Sequence, residues 1–337
     1  MLLRISIRLI VVLLWAGLFV ACGGRASHDP VDSVARVSPE RGPEPIDTTG
    51  PTRITRNLIQ DRAGDVYIAS FTGVYRHDGQ RYELLTDHLN PSRLDPLTGL
   101  TQRDTIRFFD LLQDRNDDYW FTTVGYGVYH YDGANWRQFT TKDGLASNRA
   151  GPVFEDVDGT IWVGTEKGLS RFDSTHFTKL PVGDTAVGND INDIARDGLG
   201  RLWVATRMGL YLQTDGVFSE VTAPGGRAFS NTRSLYLNRD GALWAGGQTG
   251  CWRFQSGSWE RVLEAFTGYI FPGADGAVWA TYELAPGEWG VGEVAGAGSE
   301  GGSPIRPTTR GMLFGGLISD EEVWVGGLRG VVRLALK

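Results

Sequence analysis

From Ile54 onward the chain alternates short apolar runs with glycine-bounded polar breaks. Runs such as Ile161-Trp162-Val163-Gly164-Thr165 and Leu202-Trp203-Val204-Ala205-Thr206 are rich in aromatic and β-branched residues, and their length of about five residues suits strands. Asp-Gly pairs at 78–79, 132–133, 158–159, 215–216 and 240–241 separate the runs; glycine supplies the positive φ that a tight hairpin turn requires. No stretch sustains a 3.6-residue apolar period, so very little helix is expected. One aromatic anchor recurs at Tyr67, Trp120, Trp162, Trp203, Trp244, Trp279 and Trp324, at separations of 53, 42, 41, 41, 35 and 45 residues. Spacing of this size marks repeats of one supersecondary unit. In the third repeat the strands fall at 152–155, 161–165, 169–172 and 177–180. Four-stranded antiparallel units repeated about every 40 residues build a β-propeller, and seven anchors predict seven blades. The expected organisation is all-β, with a single seven-bladed β-propeller over residues 52–337.

Other positions keep step with the anchors. Gly64, Gly159, Gly200, Gly241 and Gly276 stand three residues before them, and Gly73, Gly168, Gly209, Gly250 and Gly330 six after. The segment Phe154-Glu155-Asp156-Val157-Asp158-Gly159-Thr160-Ile161-Trp162-Val163-Gly164-Thr165, followed by Gly168-Leu169-Ser170-Arg171-Phe172-Asp173, closely resembles the two-component regulator propeller repeat. Repeats three to five match best. The sixth departs at Pro286-Gly287-Glu288-Trp289, and the seventh has Glu321 where the turn glycine belongs. The resemblance implies a propeller of the kind found in periplasmic sensor regions of hybrid histidine kinases and in free-standing secreted or lipid-anchored proteins. The sequence reaches Lys337 with no kinase core, so phosphotransfer by this polypeptide is not expected. Fold alone does not fix activity.

The first residues follow a different pattern. Arg4 and Arg8 precede an uncharged apolar stretch of 13 residues, Leu9 to Ala21, and Cys22 follows directly. Thirteen residues are too few for a membrane span, which needs about 20, but suit a secretory signal. Leu18-Phe19-Val20-Ala21-Cys22 resembles the lipobox of bacterial lipoproteins, with Phe19 where leucine is usual. The resemblance implies removal of residues 1–21, lipid attachment at Cys22, and a membrane partner through that lipid at the cell envelope. Residues 22–51 carry Gly23, Gly24, Pro30, Pro39, Pro43, Pro45 and Pro51 with few large apolar groups, so a tether is expected. The last repeat supplies only three strands before the sequence ends. A segment between Val31 and Arg53, around Val34–Val37 or Ile46–Thr49, is therefore expected to pair as its outer strand, because an open edge would expose unpaired backbone groups.

Composition narrows the partners. Lys+Arg total 33 against 40 Asp+Glu, a formal net charge of −7; without a cation run this argues against nucleic acid. Two cysteines exclude a disulfide framework and a cysteine-based zinc site. Cys251 replaces the Leu or Val of the equivalent positions and reads as a small core hydrophobe. Residues 292–304, rich in Gly and Ser, are expected to be a loop. A monomeric propeller is expected.

No catalytic set stands out, and no cofactor or metal is expected. Asp61, Asp114, Asp156 and Asp197 fall six residues before their anchors, and Asp158, Asp240, Asp275 and Asp320 four before. Asp156-x-Asp158-Gly159 does not fit the EF-hand spacing, and these acids are expected to accept backbone N–H bonds in hairpin turns. The histidines are His28, His77, His88, His130 and His176. Streptogramin lyases are seven-bladed propellers with catalytic histidines on later blades, whereas no histidine follows His176 here; a polysaccharide or small-molecule lyase is the weaker reading. The links that lead into each inner strand carry Arg56, Arg107, Lys142, Arg149, Arg233 and Asn192. In an acidic body these cations would form a positive rim for an acidic glycan or an acidic partner segment, unless Asp104, Asp143 and Asp190 pair with them. The alternative binding role is a scaffold in an envelope complex.

Overall fold

The computed structural model describes residues 50–94, 101–273, 276–294, 305–319 and 322–336. Among them the chain forms 30 strands and three short 3-10 turns, and no helix is long and apolar enough to cross a membrane. The strands make seven antiparallel blades in a ring. The third runs Ala150–Glu155, Ile161–Thr165, Gly168–Phe172, Phe177–Leu180, within two residues of the expected bounds. The fourth blade gains a fifth strand at Arg227–Ala228, and the long first link folds into a small hairpin, Ser92–Leu94 with Thr101–Arg103. Gly292 and Glu293, expected in a loop, instead pair with Ala280 and Trp279, because the unusual sixth repeat extends its hairpin to Glu288–Glu293.

The core lies between blades. Trp162 of blade 3 packs with Ile191, Ile194, Leu202 and Val204 of blade 4, and Trp324 of blade 7 packs with Leu58, Val66 and Ile68 of blade 1, which joins the ends of the ring. Each blade thus covers its neighbour's apolar face, as sheet stacking requires. Cys251 is fully buried, and burial pushes its thiol up to about 12.

The turn acids accept backbone N–H groups as expected: Asp61 from Ala63 and Asp65, Asp114 from Asn116 and Asp118, Asp158 from Thr160. Asp275 and Asp320 lie outside the described residues. A further role was hidden in the spacing. Asp114, Asp156 and Asp197 also accept the indole N–H of their own anchors, Trp120, Trp162 and Trp203, at 2.9, 3.1 and 2.9 Å. Trp244 and Trp324, which have Asn238 and Ile318 at that offset, bury an indole nitrogen with no hydrogen-bond partner among the described residues.

Blade 7 shows three strands, Leu313–Ser319, Glu322–Gly327 and Gly330–Ala335. Val34–Val37 and Ile46–Thr49 lie outside the described residues, but Pro51 marks the place of an outer strand's end. A Cβ built on Gly330 (φ +112) would sit 1.9 Å from the Pro51 carbonyl oxygen. The equivalent glycines face the last residue of their own outer strands, Gly127 against Phe139 at 2.0 Å and Gly250 against Leu263 at 2.2 Å.

Candidate binding site at the channel mouth

Every inner strand is interrupted by a register shift at the same place. The shifts fall at Thr55/Asn57, Phe108/Asp110, Ala150/Val153, Ile191/Asp193, Thr232/Ser234, Thr267/Tyr269 and Leu313/Gly315. A bulge re-aims the residue that it leaves unpaired. Here those residues include Arg56, Phe109, Asn192, Arg233 and Phe314, which line a narrow recess of about 50 Å³ inside the ring. Above it opens a wider recess of about 340 Å³, whose walls include Arg149, Glu166, Asp190 and Arg207 as well as Arg56 and Arg233.

The bulge explains a difference from expectation. Arg56, Asn192 and Arg233 belong to the inner strands Thr55–Gln60, Ile191–Arg196 and Thr232–Leu237, not to the links before them. The structure brings these three together with Arg149. Arg107 and Lys142 do not join them. The Arg107 guanidinium carbon lies 5.7 Å from the centre of the Phe71 ring, and Lys142 is exposed in the 3-10 turn Thr141–Asp143. Asp143 caps that turn through Thr140 and is not an arginine's partner.

The cations form two tiers. In the outer tier Arg149 pairs with Glu166 at 2.8 Å and Arg207 with Asp190 at 3.7 Å. In the inner tier Arg56 lies between the rings of Phe109 and Phe314, 4.1 and 4.3 Å from their centres, and donates no hydrogen bond to any described residue. Among the described residues Arg233 reaches only the Met312 sulfur, at 3.8 Å. Burial, then the nearby Arg233, bring the Arg56 guanidinium down to about 9, against the pull of Asp110. Burial and Arg207 lower Arg233 in the same way, opposed by Asp190. Among the described residues neither of these half-buried guanidiniums is paired with a carboxylate.

Beneath them the residues that follow the bulges form the floor of the inner recess. Tyr269 donates to Asn57 Oδ1 at 3.0 Å, and Asn57 donates to Asp110. Asp110 also accepts Leu111 N and Val153 N at 2.8 and 2.9 Å, and Asp193 accepts Ile194 N and Leu235 N at 2.8 and 2.7 Å. Each carboxylate therefore pins its own bulge to the next blade. Burial raises both acids, Asp193 to about 7, with Asp110 adding to its rise. These floor residues, with Glu166 and Arg207, escaped the sequence reading. A usable signal existed: six of the seven bulge residues stand 11 positions before their anchors, and the seventh, Phe314, stands 10 before Trp324.

Neither recess is lined by histidine or cysteine. His77 packs against Trp324 and Tyr82, and His130 stacks on Trp120 while pairing with Asp118 at 2.9 Å. Asp114, Asp118 and His130 lie close together, but Asp114 is already taken by the Trp120 indole and two backbone N–H groups.

Residues 186–208 match the family model described as two component regulator propeller. No curated protein matches the chain. Among solved structures the chain is similar to the extracellular domain of a Bacteroides thetaiotaomicron protein described as a hybrid two-component system, with a TM-score of 0.65 at 15% identity over 85% of this chain. It spans 40% of that chain's length. It is also similar to an inactive virginiamycin B lyase from Staphylococcus aureus with quinupristin, with a TM-score of 0.63 at 14% identity over 87% of this chain and 99% of the other. A third similar structure is PorZ, a surface component of the type-IX secretion system of Porphyromonas gingivalis, with a TM-score of 0.58 at 13% identity over 86% and 48% of the two chains. At such identities the likeness establishes the fold. The chain is a seven-bladed β-propeller that carries a two-component regulator propeller repeat in and just before its fourth blade.

Proposed function

We propose that the protein is a lipid-anchored, extracytoplasmic propeller that binds an acidic ligand, an acidic glycan, at the arginine-bearing mouth of its channel. The observation that carries this reading is the inner pair: Arg56 and Arg233 are half-buried beside an open recess, and among the described residues neither is paired with a carboxylate. A desolvated guanidinium without a counter-ion is costly, and a ligand carboxylate offsets that cost with a bidentate, charge-assisted bond. The relation to extracellular domains of two-component proteins and the lipobox-like segment ending at Cys22 support an envelope location.

Calorimetry with acidic and neutral oligosaccharides tests the ligand class. Acidic sugars bind and neutral ones do not, and Arg233→Ala weakens binding roughly tenfold or more; equal binding by both proteins, or binding of neutral sugars only, overturns the site. Attachment is tested separately by Cys22→Ala, which releases a folded protein into the soluble fraction. Retention of that variant on membranes overturns the anchor.

A further inference from the structure

The two tiers have different charge, and the difference restricts what can enter. The outer tier is already neutralised by Arg149–Glu166 and Arg207–Asp190, so it presents as many carboxylates as guanidiniums. The inner tier is cationic and small. Its recess of about 50 Å³ holds a few waters, since one needs roughly 10–15 Å³; a carboxylate fits and a sugar ring does not. Below it the Tyr269–Asn57–Asp110 chain forms the floor of the recess. Phe109 and Phe314 pack against the Arg56 guanidinium, whose carbon lies 4.1 and 4.3 Å from their centres. Its N–H edge is thereby left for an in-plane, bidentate partner.

Resting on the acidic-ligand reading above, we infer that the channel recognises one terminal carboxylate end-on: the acid group of a sugar-acid chain end enters between Arg56 and Arg233, and the ring that bears it occupies the outer recess. At about 340 Å³ the outer recess is at the small end of the range for small-molecule pockets, about 300–1,000 Å³. Glu166 and Asp190 there accept from sugar hydroxyls and disfavour further carboxylates along the chain. The site therefore does not read a polyanion by its length.

Calorimetry on the full chain tests this with galacturonic acid, its di- and hexamers, the carboxyl-reduced neutral sugar, and a short peptide with a free or an amidated C-terminus. Affinity per ligand chain is expected to stay within about threefold from monomer to hexamer and to vanish for the reduced sugar. Arg56→Met and Arg233→Met each weaken binding about tenfold or more, and by more than Arg149→Ala, whereas Lys142→Ala, at an exposed side chain outside both recesses, changes it by less than about threefold. Melting curves establish that each variant is folded; Arg233→Met alone decides if Arg56→Met is not. Affinity that climbs with length and falls in Arg149→Ala but not in Arg233→Met overturns end-on recognition while leaving an acidic ligand in place. Binding of the free-carboxyl peptide without any uronate overturns the sugar-acid class. Failure of every acid to bind overturns both readings.

Discussion

Asp156 ties its turn both to its own anchor tryptophan and to the next blade, and its removal has a calculable cost. Its carboxylate is 1% exposed, and it pairs through both oxygens with Arg196 of the next blade, whose side chain is 22% exposed. It also accepts the Trp162 indole N–H at 3.1 Å and the Val157 backbone N–H at 2.7 Å. Burial works to raise its pKa, but these bonds outweigh burial and hold it below the ordinary carboxylate value. In Asp156→Ala, Val157 is exposed enough for water to replace the lost bond, so it contributes little. The Trp162 indole is buried at 6% exposure, and leaving it unsatisfied costs about 1–3 kcal/mol. Losing the partly exposed Arg196 pair adds about 1 kcal/mol after allowance for solvent screening. The expected destabilisation is therefore about 3 kcal/mol in urea unfolding followed by tryptophan fluorescence. Asp156→Asn, which keeps an acceptor for the indole, should cost about half as much, and the exposed turn variant Asp158→Ala less than about 1 kcal/mol. If Asp156→Ala unfolds at the same urea concentration as Asp158→Ala, the indole bond carries no weight. If Asp156→Asn is as damaging as Asp156→Ala, the ion pair alone matters.

Two further outcomes are expected. A chain beginning at Pro51 should melt at least about 5 °C below the full protein, because the place beside Gly330 that Pro51 occupies calls for a strand leading into it; an unchanged melting curve would remove the closure. Asp193 should make the protein less stable as pH rises. Its carboxyl is raised to about 7 from 3.8, so between those values the folded state holds a proton that the unfolded state has lost, and stability is greatest below about pH 4 for this group and falls until about pH 7. Asp193→Asn should flatten that slope between pH 4 and 7, and a parallel slope in the variant would assign the dependence elsewhere.

The fold was readable because a propeller repeats its information. The aromatic anchor, the Asp-Gly turn and the glycine six residues on recur in several blades, so a departure in one repeat, such as Glu321 in the seventh, does not obscure the period. The sixth repeat misled locally for the same reason that it departs. Its Pro286-Gly287 turn lies between Val278–Ala285 and Glu288–Glu293, so Gly292 and Glu293 belong to a strand that glycine content alone argues against. Local propensity lost there to cross-strand pairing.

The site was only partly readable, and the bulge is the physical reason. Alternation assigns successive strand residues to opposite faces, and under strict alternation Arg56 and Asn57 cannot both serve the channel. The register shift at Thr55/Asn57 breaks the alternation, which puts Arg56 in the recess and lets Asn57 bridge Tyr269 and Asp110. The same shift turns Arg233 inward while Ser234 accepts the Ile270 N–H of the next blade at 3.0 Å. Charge counting found the arginines but could not tell the tiers apart, since Arg149 and Arg233 look alike until Glu166 is seen to pair with one and no described carboxylate with the other. A repeat whose structural positions are fixed by packing leaves one free choice per blade at the bulge. Two of those choices are arginine, in blades 1 and 5, separated by three blades on one side of the ring and two on the other. Two arginines so placed approach an occupant of the channel from different sides, which suits them to hold one anionic group between them better than to track a chain along the rim.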